Sequence, residues 1–158
     1  FGSHMNHGTG LMWLVLSVLA LSRIMDGIVT LLRRVSSAFV NGLALGMAAT
    51  IRPLDSFAFA LPAALWMVVR ATRDRREWVH AIVAGAGVAI PFAAMLWVNA
   101  QSTGAPFLFG YEVLWGKGHG LGFHTSPWGV AHTPSRVVEL LSLYVTRFQK
   151  SLFETQFP

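Results

Sequence analysis

The 158-residue sequence has no cysteine, which excludes disulfide staples, thiolate zinc sites, iron–sulfur clusters and a cysteine nucleophile within this chain. Charge is scarce as well, at 12% of residues against roughly 25% in a soluble domain. Acids are the rarer sign, with seven Asp and Glu against twelve Lys and Arg, a formal net charge of +5. That excess sits on 54% hydrophobic residues and a mean hydropathy of +0.53, so the basic balance points to a membrane and not to nucleic acid. Also missing is a basic n-region followed by a cleavage site. The chain opens on Phe1 and ends on Phe157-Pro158, and is expected to be an internal piece of a longer protein with no signal peptide. Gly2-Ser3-His4-Met5 matches an expression-tag scar, although Phe1 precedes it.

What is present in abundance is long apolar runs. A spanning helix needs about 20 mostly apolar residues, because each rises about 1.5 Å through about 30 Å of hydrocarbon. Four segments approach this, at residues 8–22, 35–51, 56–69 and 78–100. The last is long enough alone. The others reach membrane length through uncharged flanks such as Asn6 and Thr9, or through Pro53 to Asp55. Arg23, Arg33 and Arg34 fall between the first two, and Arg70, Arg73, Arg75 and Arg76 between the last two. By the positive-inside rule both connections are cytoplasmic, which puts residues 3–7, the Arg52-Pro53-Leu54-Asp55 turn and residues 101–158 on the outer face. Trp13, Trp66, Trp78 and Trp97 lie near span ends, where an aromatic belt belongs.

Gly42-Leu43-Ala44-Leu45-Gly46 is a GxxxG and Gly85-Ala86-Gly87 a second small-residue face, both suited to close helix packing in lipid. Pro62 and Pro91 are expected to kink their spans. Residues 101–133 are rich in Gly, His and Trp. Thr133-Pro134 then reads as an N-cap with proline at the first helical position. The following helix, 134–153, carries Val137, Leu141, Tyr144, Phe148 and Leu152 on one side and Glu139, Ser142, Thr146, Gln149 and Lys150 on the other. Such a helix suits the membrane interface or the flank of an external domain. The expected fold is therefore all-α: a polytopic membrane bundle of four spans, an outer loop and an amphipathic helix.

Candidate site residues gather at the proposed outer face. Arg52 and Asp55, three apart across a proline, either close a turn as a local ion pair or leave Arg52 to bind phosphate oxygens. Glu112, Lys117, His119, His124 and His132 are interleaved with Gly116, Gly118, Gly120 and Gly122, and with Trp115, Phe123 and Trp128. A loop of that composition either is a glycine-rich surface segment or places cations and ring faces around a ligand. Its histidines, five and eight apart, match no closed zinc motif, though a divalent metal remains compatible with them. Asn6 and His7 lie at the mouth of the first span, and His80 just inside the fourth is expected to be a satisfied helix-end residue.

Several of these segments resemble the polytopic glycosyltransferases of the C superfamily, of the protein mannosyltransferase and aminoarabinose transferase kind, in their bacterial members. The residues concerned are Met5-Asn6-His7, the GxxxG leading into Arg52-Pro53-Leu54-Asp55, and Asn99 followed by Thr103-Gly104-Ala105-Pro106. They continue as Phe109-Gly110-Tyr111 through Gly122-Phe123-His124, Pro127-Trp128-Gly129 and His132-Thr133-Pro134. The resemblance implies transfer of a sugar from a polyprenyl-phosphate carrier to an acceptor on the extracytoplasmic side of the bacterial inner membrane. It also implies a catalytic acid in a first outer loop upstream of these residues, so no catalytic residue is assigned and the isolated chain is expected to be inactive. Arg52, Lys117 and the outer histidines, His7 included, become candidates for phosphate or sugar contact, with Asp55 and Glu112 for sugar hydroxyls. A transporter or channel fragment is the alternative, disfavoured by span centres that read as almost purely apolar. A noncatalytic envelope scaffold is a third reading.

Overall fold

The computed structural model describes residues 2–26, 29–119 and 122–153, with the side chains of 2–6, 152 and 153 left aside. Phe1, Gly120, Phe157-Pro158 and the side chains of Ser3, His4, Met5, Asn6 and Leu152 therefore lie outside what is described. The described chain is helical nearly throughout. Its long helices are α1 (Gly2–Met25), α2 (Leu31–Ile51), α3 (Pro53–Arg73) and α4 (Trp78–Thr103), followed by a short α5 (Gly110–Trp115) and by α6 (Pro134–Phe153). The chain forms two compact units, one up to Val98 and one from Asn99 onward.

Three stretches are long and apolar enough to cross a membrane: His7–Met25, Pro53–Arg73 and Arg75–Thr103. Of the four expected spans, the second is left without this support. Although α2 is 21 residues long, it is not among the three, and Arg33, Arg34, Ser36, Ser37 and Asn41 in its first half are the reason. What it lacks in apolarity it makes up in packing. Ser37, Ala38, Asn41, Gly42, Ala44, Leu45, Gly46 and Ala48 are all buried, more than in any other helix among the described residues. Helices α1, α3 and α4, by contrast, turn Leu11, Leu19, Phe57, Leu65, Ile82 and Ile90 outward, as lipid-facing helices do.

The first unit packs on small residues. Ile24, Ala38, Met67 and Ala84 form one cluster, Leu14, Leu45 and Ala48 another. A Cβ at Gly42 would collide with the Ala84 carbonyl, and one at Gly87 would lie 2.5 Å from the Phe39 carbonyl oxygen. Helices α2 and α4 thus touch backbone to backbone, the close van der Waals approach that replaces the hydrophobic drive in lipid. Gly46 leaves room for the Pro91 ring, whose Cγ would sit 3.0 Å from an added Cβ. Gly85 has open space instead and takes no part in that contact. Between α2, α3 and α4 runs a groove of about 240 Å³, lined by Leu45, Ala63, Met67, Ala84, Val88 and, as its polar member, Asn41.

Helices α2 and α3 join through Arg52 alone. Its backbone (φ −141°, ψ 82°) leaves the helical region because the following proline disfavours it there, and Pro53 then starts α3 at a position where no amide hydrogen is needed.

Candidate functional site

The tight α2–α3 junction aims Arg52 back at α1. Its Nε pairs with Asp55 Oδ2 at 2.5 Å, its Nη1 meets His7 Nδ1, and its aliphatic stem lies over Gly10. The local ion pair, one of the two readings of these residues, is formed, with both side chains about 40% exposed, at 37% and 42%. Bringing His7 to the same guanidinium is something sequence distance alone does not reveal. Nearby, Ser56 Oγ donates to the Leu45 carbonyl at 2.7 Å and locks the junction.

The second unit holds the other candidates. Asn99 Nδ2 donates to the Pro106 carbonyl at 3.1 Å, and the Thr103 hydroxyl donates to the Asn99 carbonyl at 2.8 Å, so the end of α4 is tied to the turn that follows. Glu112 reaches back to the Phe109 amide at 3.2 Å and caps α5, which makes it a structural carboxylate. Burial, and then the Glu112 carboxylate, push the Tyr111 phenol above its ordinary range. Lys117 is exposed in the turn Lys117–His119.

Ser126-Pro127-Trp128-Gly129 has the residue pattern of a type I turn, with Ser first, Pro second and Gly fourth. The Gly129 amide donates to the Ser126 carbonyl at 2.9 Å, and Gly129 takes φ 76°, which favours glycine. Ser126 and Val130 then close the loop with an amide-to-carbonyl bond of 2.8 Å and a Val130 amide bond to Ser126 Oγ at 3.2 Å. Past the turn, Thr125 and Ala131 form an antiparallel bridge, and the His132 amide donates to the His124 carbonyl at 2.8 Å. Within the segment read as a glycine-rich loop, residues 124–132 form a small hairpin with defined register.

That hairpin orders the aromatic side chains. His119 donates from Nδ1 to the Trp115 carbonyl at 2.9 Å, its ring 5.9 Å from Trp115 and edge-on to Trp128 at 5.4 Å. His124 donates from Nε2 to the Gly118 carbonyl at 2.8 Å, and its ring lies 5.3 Å from that of His132. Trp115, Phe123 and Trp128 remain about two-thirds or more exposed. Exposed rings with fixed hydrogen-bonding neighbours offer a stacking face for a sugar or an anchor in the interfacial region.

Two further polar groups were not singled out by sequence. Asn41, 1% exposed and midway along α2, donates from Nδ2 to the carbonyl and hydroxyl of Ser17 at 3.0 and 2.9 Å. Glu77 binds Arg34, Arg70 and, at 3.2 Å, His80. His80 is only 2% exposed and neither ring nitrogen makes a hydrogen bond, so the expectation of a satisfied helix-end histidine is not met. An acid directly after Arg75-Arg76 was the available signal for Glu77, and a lone amide in an apolar run the signal for Asn41.

No family model, no curated protein and no solved structure matches the chain.

Proposed function

We propose that the chain is part of an integral membrane glycosyltransferase that moves a sugar from a polyprenyl-phosphate carrier to an acceptor at the extracytoplasmic face. In this reading α2 is a fourth crossing, shielded from lipid by its neighbours, and the arginine-rich connections stay in the cytoplasm of a bacterial cell. Residues 101–158 are then extracytoplasmic, and Arg52 lies at the outer end of α2. The observation that carries the reading is the ordered cluster of Trp115, His119 and Trp128, with Lys117 exposed beside it. Ring faces suit a sugar, and a cation suits the departing lipid phosphate. An acceptor hydroxyl attacks the anomeric carbon, its proton passes to the carboxylate that the resemblance places upstream, the bond to the phosphate oxygen breaks, and a basic side chain, Lys117 or Arg52, stabilises the charge left on the phosphate. The test is transfer of labelled sugar from polyprenyl phosphate in membranes carrying the full-length protein. Arg52→Ala and Lys117→Ala should each lower transfer on the order of a hundredfold. Unchanged transfer in both would remove the assignment.

A transporter or channel fragment is the second reading, and one observation favours it. Asn41 lines the apolar groove at mid-span, where transport sites are found. Its amide hydrogens are already engaged by Ser17, which weighs for a packing role.

A further inference from the structure

His124 and His132 are eight positions apart, a spacing that matches no metal-binding motif, yet the hairpin sets them directly opposite each other. Thr125 and Ala131 form the bridge between them and the turn, so His124 and His132 are the next cross-strand pair, with side chains on the same face. Their ring centroids are 5.3 Å apart with planes tilted by 46°. Two imidazoles bound to one tetrahedral ion at about 2.0–2.1 Å place their centroids about 5.2 Å apart. The pair already has the separation of a chelate.

The donor chemistry agrees. Because the Gly118 carbonyl can only accept, His124 Nε2 carries a hydrogen, and Nδ1 is the ring nitrogen left to offer a metal. Metal-ligating histidines characteristically hold their second nitrogen on a backbone carbonyl in this way, which fixes tautomer and ring orientation. Gly118 is itself braced, since a Cβ there would lie 3.1 Å from the Pro127 ring of the same hairpin. His132 is exposed.

We propose that His124 and His132 form a two-histidine site for a borderline divalent metal ion, zinc in the first instance, presented on the hairpin of the second unit. Among the described residues no group of three or more His, Cys, Asp or Glu is placed to hold an ion, so the remaining coordination positions belong to water or to oxygen atoms of a bound ligand. The proposal is independent of the transferase reading.

The test is zinc stoichiometry and affinity by equilibrium dialysis with elemental analysis, on the full chain in detergent with any affinity tag removed. The expected result is one saturable zinc site, weakened on the order of tenfold or more by His132→Asn, the loss of one of two donors. His119→Asn should leave it unchanged. His132 is the informative position because it is exposed, whereas a change at His124 also removes the Gly118 bond and can disturb the hairpin. Circular dichroism of each variant separates lost ligation from lost fold. No saturable binding, or a zinc site that survives His132→Asn in a folded protein, would overturn the proposal.

Discussion

Arg34 and Glu77 meet across 43 residues of sequence, a single guanidinium nitrogen lying 2.9 and 2.8 Å from the two carboxylate oxygens. Arg70 adds a contact at 3.2 Å from α3 while its own guanidinium lies over the Trp66 ring at 5.1 Å, so one acid gathers the arginine-bearing ends of two helices. With Arg34 and Glu77 mostly buried, removing the acid leaves a guanidinium without its counter-ion. Glu77→Gln should cost about 1–3 kcal/mol, read as a lower unfolding temperature by circular dichroism in detergent. Adding Arg34→Gln should then cost little more, and fully additive losses would mean that the two side chains do not interact.

Asn41 and Ser17 make the corresponding test in the middle of the bundle. Interhelical side-chain hydrogen bonds within membranes average about 0.6 kcal/mol and reach about 1.7 kcal/mol. Asn41→Ala should fall in that range. Ser17→Ala should cost less, because the Ser17 carbonyl still accepts from Asn41.

Gly42 and Gly85 should behave in opposite ways. Gly42→Ala forces its new methyl group into the Ala84 carbonyl and should separate α2 from α4 at a cost of at least about 1–3 kcal/mol, the usual range for overpacking. Gly85→Ala meets open space and should be neutral or mildly stabilising. Thermal unfolding of the pair checks this, and equal losses would contradict the packing described.

Sidedness can be read by labelling single cysteines with an impermeant thiol reagent in intact cells, an experiment made clean by the absence of native cysteine. Thr72→Cys, Ser102→Cys and Val130→Cys place the thiol at exposed positions. Ser126, though it lies in the same loop, is buried and would report packing instead of sidedness. Labelling at 102 and 130 but not at 72 is the result expected for the proposed orientation. The reverse pattern would place the hairpin in the cytoplasm and move the transporter reading ahead.

Much of the architecture was legible in the sequence because it is governed by local rules. Apolar runs of membrane length identify α1, α3 and α4, and proline after Arg52 marks a helix boundary, since each effect acts within a few residues. Thr133 and Pro134 announce the start of α6, where Thr133 Oγ1 accepts from the Arg136 amide at 3.2 Å. The hairpin was written there too, in Ser126-Pro127-Trp128-Gly129, but the surrounding glycines and histidines obscured a turn pattern only four residues long. Helix α2 shows the limit of hydropathy, which scores each residue against lipid and takes no account of neighbouring helices.

By itself, then, the sequence determined that this chain is helical and rich in segments long and apolar enough to cross a membrane, where backbone groups must be satisfied within their own helix. Tertiary structure alone decided which polar groups meet: His7 with Arg52, Ser17 with Asn41, Arg34 with Glu77, and His124 with His132. The physical reason is that hydrogen bonds, ion pairs and ring contacts act over a few ångströms of space, and only folding brings residues 8 to 45 positions apart within that range.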